Sequence, residues 1–171
     1  MEVRDAVRRA LVQGEPRGLF GQLMWIVRNS PEGRAGRPAD AVGVSAGTWN
    51  RWILGARGLP GGSRPAAASQ TKIVTAMRSA TASVWRNPYP DTCRVKAYIV
   101  WGGYTNKNPV RATTLENLNL TRMVDAFGRG DDGEMVRMFA QAILERYGVT
   151  VDFDEVESLT FEYRGENYYA R

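Results

Sequence analysis

The sequence predicts an α+β protein: an N-terminal all-helical domain containing a helix-turn-helix, followed by a small antiparallel sheet packed by two helices. Two observations predict this class. Apolar residues recur at helical spacing through residues 1–90, and an alternation typical of strands appears after residue 90. With 171 residues the chain suits two small domains, predicted as 1–90 and 91–171.

The first half is predicted as short helices separated by breaks rich in glycine and proline. Apolar stripes predict helices over 2–13 and 19–27, two short helices within 39–55, and a longer helix over 66–85. The segments GEPRG and NSPEGRAGRP are predicted as turns, and ARGLPGGSRP as a linker.

The second half alternates strands and helices. Strands are predicted over 95–101, 110–118 and 159–163. One helix is expected to end at Gly128, and the next to begin at a cap formed by Asp131 or Asp132 and to end at Gly148. Six apolar residues are predicted to share one core: Val95, Ile99, Phe127, Phe139, Ile143 and Phe161.

Composition excludes several kinds of chemistry. The chain has no histidine and a single cysteine, which excludes Ser-His and Cys-His nucleophile pairs, an internal disulfide and a cysteine metal cage. Neither a metal nor a cofactor is predicted, and an enzyme with its own catalytic apparatus is disfavoured. The acidic cluster of Asp152, Asp154, Glu155 and Glu157 is interpreted as a solvated strand entry or a protein contact surface rather than a metal site.

Charge is unevenly distributed along the chain. Residues 1–90 carry 13 Lys and Arg against 5 Asp and Glu, whereas residues 91–171 carry 10 against 13. This asymmetry is typical of a protein with one part that faces nucleic acid. Neither a signal peptide nor an apolar run of membrane-spanning length is visible. We therefore expect a cytoplasmic, nucleoid-associated protein that does not bind membranes.

The stretch AVGVSAGTWNRWILG has the pattern of a helix-turn-helix. Gly43 suits the turn, Ala39 suits the close helix contact before it, and Ser45 can cap the second helix. Trp49 and Trp52, three residues apart, are predicted to anchor that helix to the core of the unit.

The same spacing predicts which residues of the second helix face outward. Ala46, Gly47, Asn50 and Arg51 are expected near the amino-terminal end of its outer face, where a recognition helix reads base edges. Asparagine bonds adenine and arginine bonds guanine bidentately. The DNA-binding residues predicted from this region are Ser45, Ala46, Gly47, Asn50 and Arg51, with Arg57 and Arg64 on phosphates.

The order of segments resembles the actinobacterial telomere terminal proteins, the Tpg-type family that caps linear chromosomes and plasmids. The resemblance rests on AVGVSAGTWNRWI, YIVWGGYTN, RATTLENLNLTRMVDAFGRGDDGEMVRMFAQAILERYGV and DEVESLTFEYRG, within residues 35–165. It implies a protein whose hydroxyl becomes joined to a DNA 5′ end and primes the synthesis that fills the recessed end. The implied partners are double-stranded or telomeric single-stranded DNA, a DNA polymerase and a telomere-associated protein.

The resemblance also points to the loop GGYTNKNP as the carrier of that hydroxyl. Thr105 is the first candidate, with Lys107 and Arg111 placed to meet phosphate. Thr113 and Thr114 follow, and then Tyr104, with Tyr168 and Tyr169 as outside candidates. A hydroxyl of this kind would attack a nucleotide held by the polymerase, whose two metal ions activate the reacting oxygens.

Two other functions fit the same pattern. One is a transcriptional repressor, in which the helix-turn-helix binds an operator and the α+β part dimerises or senses a ligand. The other is a replication or partition accessory protein of a plasmid. Whether the chain forms a homodimer stays open. The terminal protein differs from both alternatives in being covalently attached to DNA.

Overall fold

The computed structural model describes residues 1–86, 93–101, 111–151 and 155–165. These residues form eight helices and three strands, so the predicted α+β class is confirmed. In chain order the helices are α1 Val3–Leu11, α2 Leu19–Asn29, α3 Pro31–Arg34, α4 Pro38–Val42, α5 Ala46–Ala56, α6 Ala67–Trp85, α7 Thr121–Arg129 and α8 Asp132–Tyr147. The strands are β1 Cys93–Trp101, β2 Arg111–Leu118 and β3 Val156–Gly165.

The chain divides into two compact units. The helical unit is Gly14–Val84 with Gly128–Gly130. The sheet unit is Met1–Gln13, Trp85–Phe127 and Asp131–Arg171. This grouping differs from the predicted division at residue 90, because α1 belongs to the sheet unit.

The helical unit is organised around one apolar core. Helices α2, α4, α5 and α6 each contribute to it with Leu23, Ile26, Ala39, Val42, Trp49, Trp52, Ile73, Ala76 and Met77. Helix α3 lies in a segment that was predicted as a turn. Ser30 begins it by accepting a hydrogen bond from the Gly33 amide at 2.8 Å. Gly33 lies so close to α2 that a Cβ atom there would come within 2.4 Å of the Ile26 carbonyl oxygen.

The sheet unit contains an antiparallel sheet in the order β2-β1-β3. One face is buried: Ile99 of β1 is 2% exposed, and Phe161 of β3 packs edge-on against Phe139 of α8 at 5.7 Å between ring centroids. Of the six predicted core residues, five are buried: Ile99, Phe127, Phe139, Ile143 and Phe161. The side chain of the sixth, Val95, lies outside the described part.

Helix α1 packs in the sheet unit against β3 and α8. Its apolar stripe, from Ala6 to Leu11, is almost fully buried. The indole N–H of Trp85 donates a hydrogen bond to the Leu11 carbonyl oxygen at 2.8 Å. An amphipathic pattern shows that a helix is partly buried, but it does not show which unit buries it.

Candidate nucleic-acid interface

The turn between α4 and α5 has the geometry that the sequence predicted. Gly43 ends α4 in the left-handed region with φ +68°, where a side chain would be strained. The Val44 amide donates to the Ala39 carbonyl at 3.1 Å, which closes the turn. Ser45 then caps α5, and its Oγ accepts from the Thr48 amide at 3.1 Å.

Helix α5 has one buried face and one open face. Trp49 and Trp52 are 5% and 4% exposed and lie in the core of the helical unit, as predicted. Asn50 and Arg51 are exposed, as are Ala46 and Gly47 at the start of the helix. The turn and α5 therefore have the local form of a helix-turn-helix, with a polar outer face available to a partner.

Three side chains form a hydrogen-bond chain along this outer face. The hydroxyl oxygen of Thr48 accepts from the Ser45 hydroxyl at 3.0 Å and from the Arg51 guanidinium at 3.3 Å. Sequence reasoning missed Thr48, although its position three residues after Ser45 and three before Arg51 was a signal. These hydrogen bonds direct the guanidinium of Arg51 toward the amino-terminal end of α5.

The segment that follows α5 was predicted as a linker, and it joins α5 to α6 without a helix or strand of its own. It is nevertheless folded against α5. The Ser63 amide donates to the Arg51 carbonyl at 3.0 Å, and the Leu59 amide donates to the Leu54 carbonyl at 2.9 Å. A Cβ atom on Gly62 would come within 2.1 Å of the Gly55 nitrogen. Residues 57–64, the return turn, are thus folded back against the last part of α5, and the lack of a side chain on Gly55 and Gly62 allows this close approach.

Arg57 and Arg64 lie at the two ends of the return turn. Arg57 caps the carboxyl end of α5, and Arg64 follows the residue that bonds to Arg51. Both arginines are exposed, and neither forms an ion pair within the described part of the chain. Pro65, directly after the turn, is buried.

The helical unit is strongly basic. Its residues include ten Lys and Arg against three Asp and Glu, a net charge of +7. One acid, Asp40, pairs with Arg37 at 3.7 Å. Among the described residues, Arg28, Arg51, Arg57 and Arg64 have no carboxylate partner. Unpaired arginines at this density create a positive potential that attracts polyanions.

The candidate hydroxyls of the sheet unit are only partly described. Thr105, Tyr104 and Lys107 lie outside the described residues, as do Tyr168 and Tyr169. Arg111 begins β2, but its side chain lies outside the described part. The structure therefore places none of these side chains.

Thr113 and Thr114 lie on β2 and differ in accessibility. Thr113 pairs with Ile99 of β1 and is half-buried. Thr114 pairs with Tyr98, and both of these residues are exposed on the other face of the sheet. Of the two threonines, Thr114 offers the accessible hydroxyl.

The acidic cluster predicted as a strand entry or a protein contact surface is only partly described. Glu155 pairs with the amino group of Met1 at 2.8 Å, while Asp152 and Asp154 lie outside the described residues. Within the described ranges, no group of three acidic or cysteine side chains is arranged to hold a metal ion. None of the helices described combines the length and apolarity needed to cross a membrane.

Protein-family models, curated proteins and solved structures were compared with the chain, and none of them matches it. The resemblance to terminal proteins therefore stays a prediction. A proposal for the function therefore rests on the geometry and charge of the helical unit.

Proposed function

We propose that the helical unit binds duplex DNA by placing the amino-terminal part of α5 in the major groove. The observation that carries this proposal is the exposure of Asn50 and Arg51 on the outer face of α5, in a helix-turn-helix whose opposite face is anchored by two buried tryptophans. A recognition helix needs both features, because its base-reading side chains must be free while its backbone is held.

Each part of the interface has a distinct role in this proposal. Asn50 and Arg51 read base edges, for which carboxamide and guanidinium groups suit adenine and guanine. Ser45 and the small residues Ala46 and Gly47 let the backbone at the helix start approach the DNA closely, where amide N–H groups favour phosphate. The net charge of +7 supplies the attraction that does not depend on sequence.

Selection from a pool of random duplexes tests this proposal directly. The full chain is expected to enrich one family of sequences, and fluorescence titration at fixed salt should give a dissociation constant at least about 10³-fold lower for that family than for a scrambled duplex. A pool without enrichment, together with equal dissociation constants for all duplexes, would overturn it.

We infer a finer role from the resemblance: the chain is a terminal protein of a linear replicon. Its hydroxyl oxygen would attack the α-phosphorus of a deoxynucleoside triphosphate held by a DNA polymerase. A phosphodiester bond to the protein forms, pyrophosphate leaves, and the hydroxyl proton passes to solvent or to the polymerase. The exposed hydroxyl of Thr114 is compatible with this step, and Thr105 is the first candidate by sequence.

A nucleotidylation assay tests the finer role. The chain is incubated with labelled deoxynucleotide, a telomeric template and an extract from cells with a linear replicon. Thr105→Val, Thr113→Val and Thr114→Val are compared, because valine keeps the shape of threonine and lacks its oxygen. Label lost in one variant and partly restored by serine identifies the linked residue. An unlabelled wild type in active extract would contradict the terminal-protein role and favour the repressor.

A further inference from the structure

The return turn presents apolar residues to solvent between two arginines. Leu59 is 41% exposed and Pro60 is also exposed, and these two residues form the tip of the turn. Arg57 and Arg64 lie at its ends. Exposed apolar residues between cations that have no carboxylate partner in the described part of the chain suit a partner that offers phosphates and the apolar faces of stacked bases.

The length of α5 determines where this turn would meet DNA. Helix α5 has 11 residues, so it is about 16 Å long. The major groove is about 12 Å wide. A helix of this length that crosses the groove with its first turns on the bases therefore has its carboxyl end over the sugar–phosphate backbone at the edge of the groove. The neighbouring groove on the far side of that backbone is the minor groove.

We propose that the return turn is a second DNA contact, which inserts Leu59 and Pro60 into the minor groove beside the major-groove site. Arg57 and Arg64 bind the phosphates along the two edges of that minor groove. This inference rests on the proposed function, in which α5 occupies the major groove.

The packing of the return turn gives this contact a fixed geometry. Residues that enter a minor groove must be held in place, because a mobile segment would lose conformational entropy on binding. Here the Ser63 amide is bonded to the Arg51 carbonyl, and Gly55 and Gly62 are in direct backbone contact. The turn is thus tied, through Ser63, to the same helix residue that carries the base-reading guanidinium.

The chemistry of the minor groove defines the sequence preference that follows. Leucine and proline act there as apolar wedges between base steps. Guanine places an amino group on the groove floor, whereas A·T pairs do not. The flank contacted by the turn is therefore expected to favour A·T pairs and easily opened pyrimidine–purine steps.

Minor-groove substitutions in the flank test the proposal without altering the major-groove code. Inosine in place of guanine removes the amino group, and 2,6-diaminopurine in place of adenine adds one. For the wild-type chain, diaminopurine in the flank of the selected duplex should raise the dissociation constant about fivefold or more, which is the lower end for one altered base pair. Inosine in a G·C flank should lower it.

Leu59→Ala should bind more weakly and should no longer distinguish these flanks. Val74→Ala is the matched control, because Val74 is an exposed apolar residue of the same unit at 57% exposure. Melting temperatures of both variants should equal that of the wild type. Arg57→Ala and Arg64→Ala should each lower the slope of log Kd against log salt by about one, whereas Arg28→Ala should keep the preference for the flank.

The outcomes separate this inference from the proposed function. If the wild-type chain binds its selected duplex but neither flank substitution nor Leu59→Ala changes the dissociation constant, the minor-groove contact is overturned and the major-groove proposal stands. If no duplex is selected at all, the proposed function fails and this inference fails with it.

Discussion

At the scale of single residues, side-chain hydrogen bonds through Thr81 link Glu15, at the beginning of the helical unit, to Trp25 of α2. Thr81 is 1% exposed, and its hydroxyl accepts from the Trp25 indole N–H at 3.1 Å and donates to the Glu15 carboxylate. Burial raises the pKa of Glu15, and this effect exceeds the lowering by the Thr81 hydrogen bond and by the Arg78 charge. The ionised carboxylate is therefore less stable in the folded state than in the unfolded chain.

This pKa shift leads to an expected pH dependence. Since the pKa is raised by folding, the free energy of unfolding falls as pH rises from the ordinary glutamate range through the folded-state value. Glu15→Gln keeps an acceptor for Thr81 and removes the charge. Its melting temperature should match that of the wild type at acidic pH and exceed it at neutral pH. A variant that melts below the wild type at neutral pH would show that the carboxylate stabilises the fold.

At the scale of elements, strand β2 carries an irregularity that α8 compensates. The register of β2 shifts between the pairs Val95–Leu118 and Ala97–Leu115, and Asn117 adopts a left-handed φ of +61°. The Tyr147 hydroxyl accepts from the Glu116 amide at 2.7 Å and donates to the Glu116 carbonyl at 3.0 Å. One side chain from the end of α8 thus binds both backbone groups at the bulge.

Removal of this hydroxyl should loosen β2 without unfolding the chain. Tyr147→Phe is expected to cost about 1 kcal/mol, the usual net value of a hydrogen bond that solvent can partly replace. The Glu116 amide should exchange with deuterium faster in the variant, while the amides of α8 should not change. Unchanged exchange at Glu116 would show that the hydroxyl does not hold the bulge.

Local features of the site could be predicted from the sequence, and contacts between distant residues could not. The left-handed Gly43 and the Ser45 cap depend on neighbouring residues, so the pattern was sufficient to place them. The return turn depends on the contact of Gly55 with Gly62, and a run of glycine and proline predicts a linker without showing what it packs against. The end of α7, a local feature, was predicted at Gly128 and lies one residue later at Arg129, before Gly130 with φ +82°.

At the scale of the whole molecule, each unit has its own apolar core, but the positive charge is concentrated in one of them. The helical unit carries a net charge of +7 in a chain whose net charge is +5, so the sheet unit is slightly acidic. The sheet unit has its own core, in which Phe139 is 1% exposed. The positive charge that attracts DNA is therefore concentrated in the unit that carries α5.

The core of the sheet unit should depend strongly on Phe139. Phe139→Ala removes a buried ring that packs against Phe161 and leaves a cavity, which is expected to cost about 3–5 kcal/mol. This is a large part of the total stability of a typical domain. Thermal denaturation followed by circular dichroism should show a clear loss of stability, and a variant that melts within about two degrees of the wild type would contradict the described core.

The central claim is that α5 reads DNA in the major groove, and Arg51 tests it most directly. Arg51→Ala and the control Arg28→Ala remove the same charge from the same unit, and both arginines are exposed. Dissociation constants are measured at fixed salt on the selected duplex and on variants of each base pair. Arg51→Ala should cost about 1–3 kcal/mol and lose discrimination at one base pair, whereas Arg28→Ala should keep it. Equal dissociation constants for Arg51→Ala and the wild type on every duplex would contradict the claim.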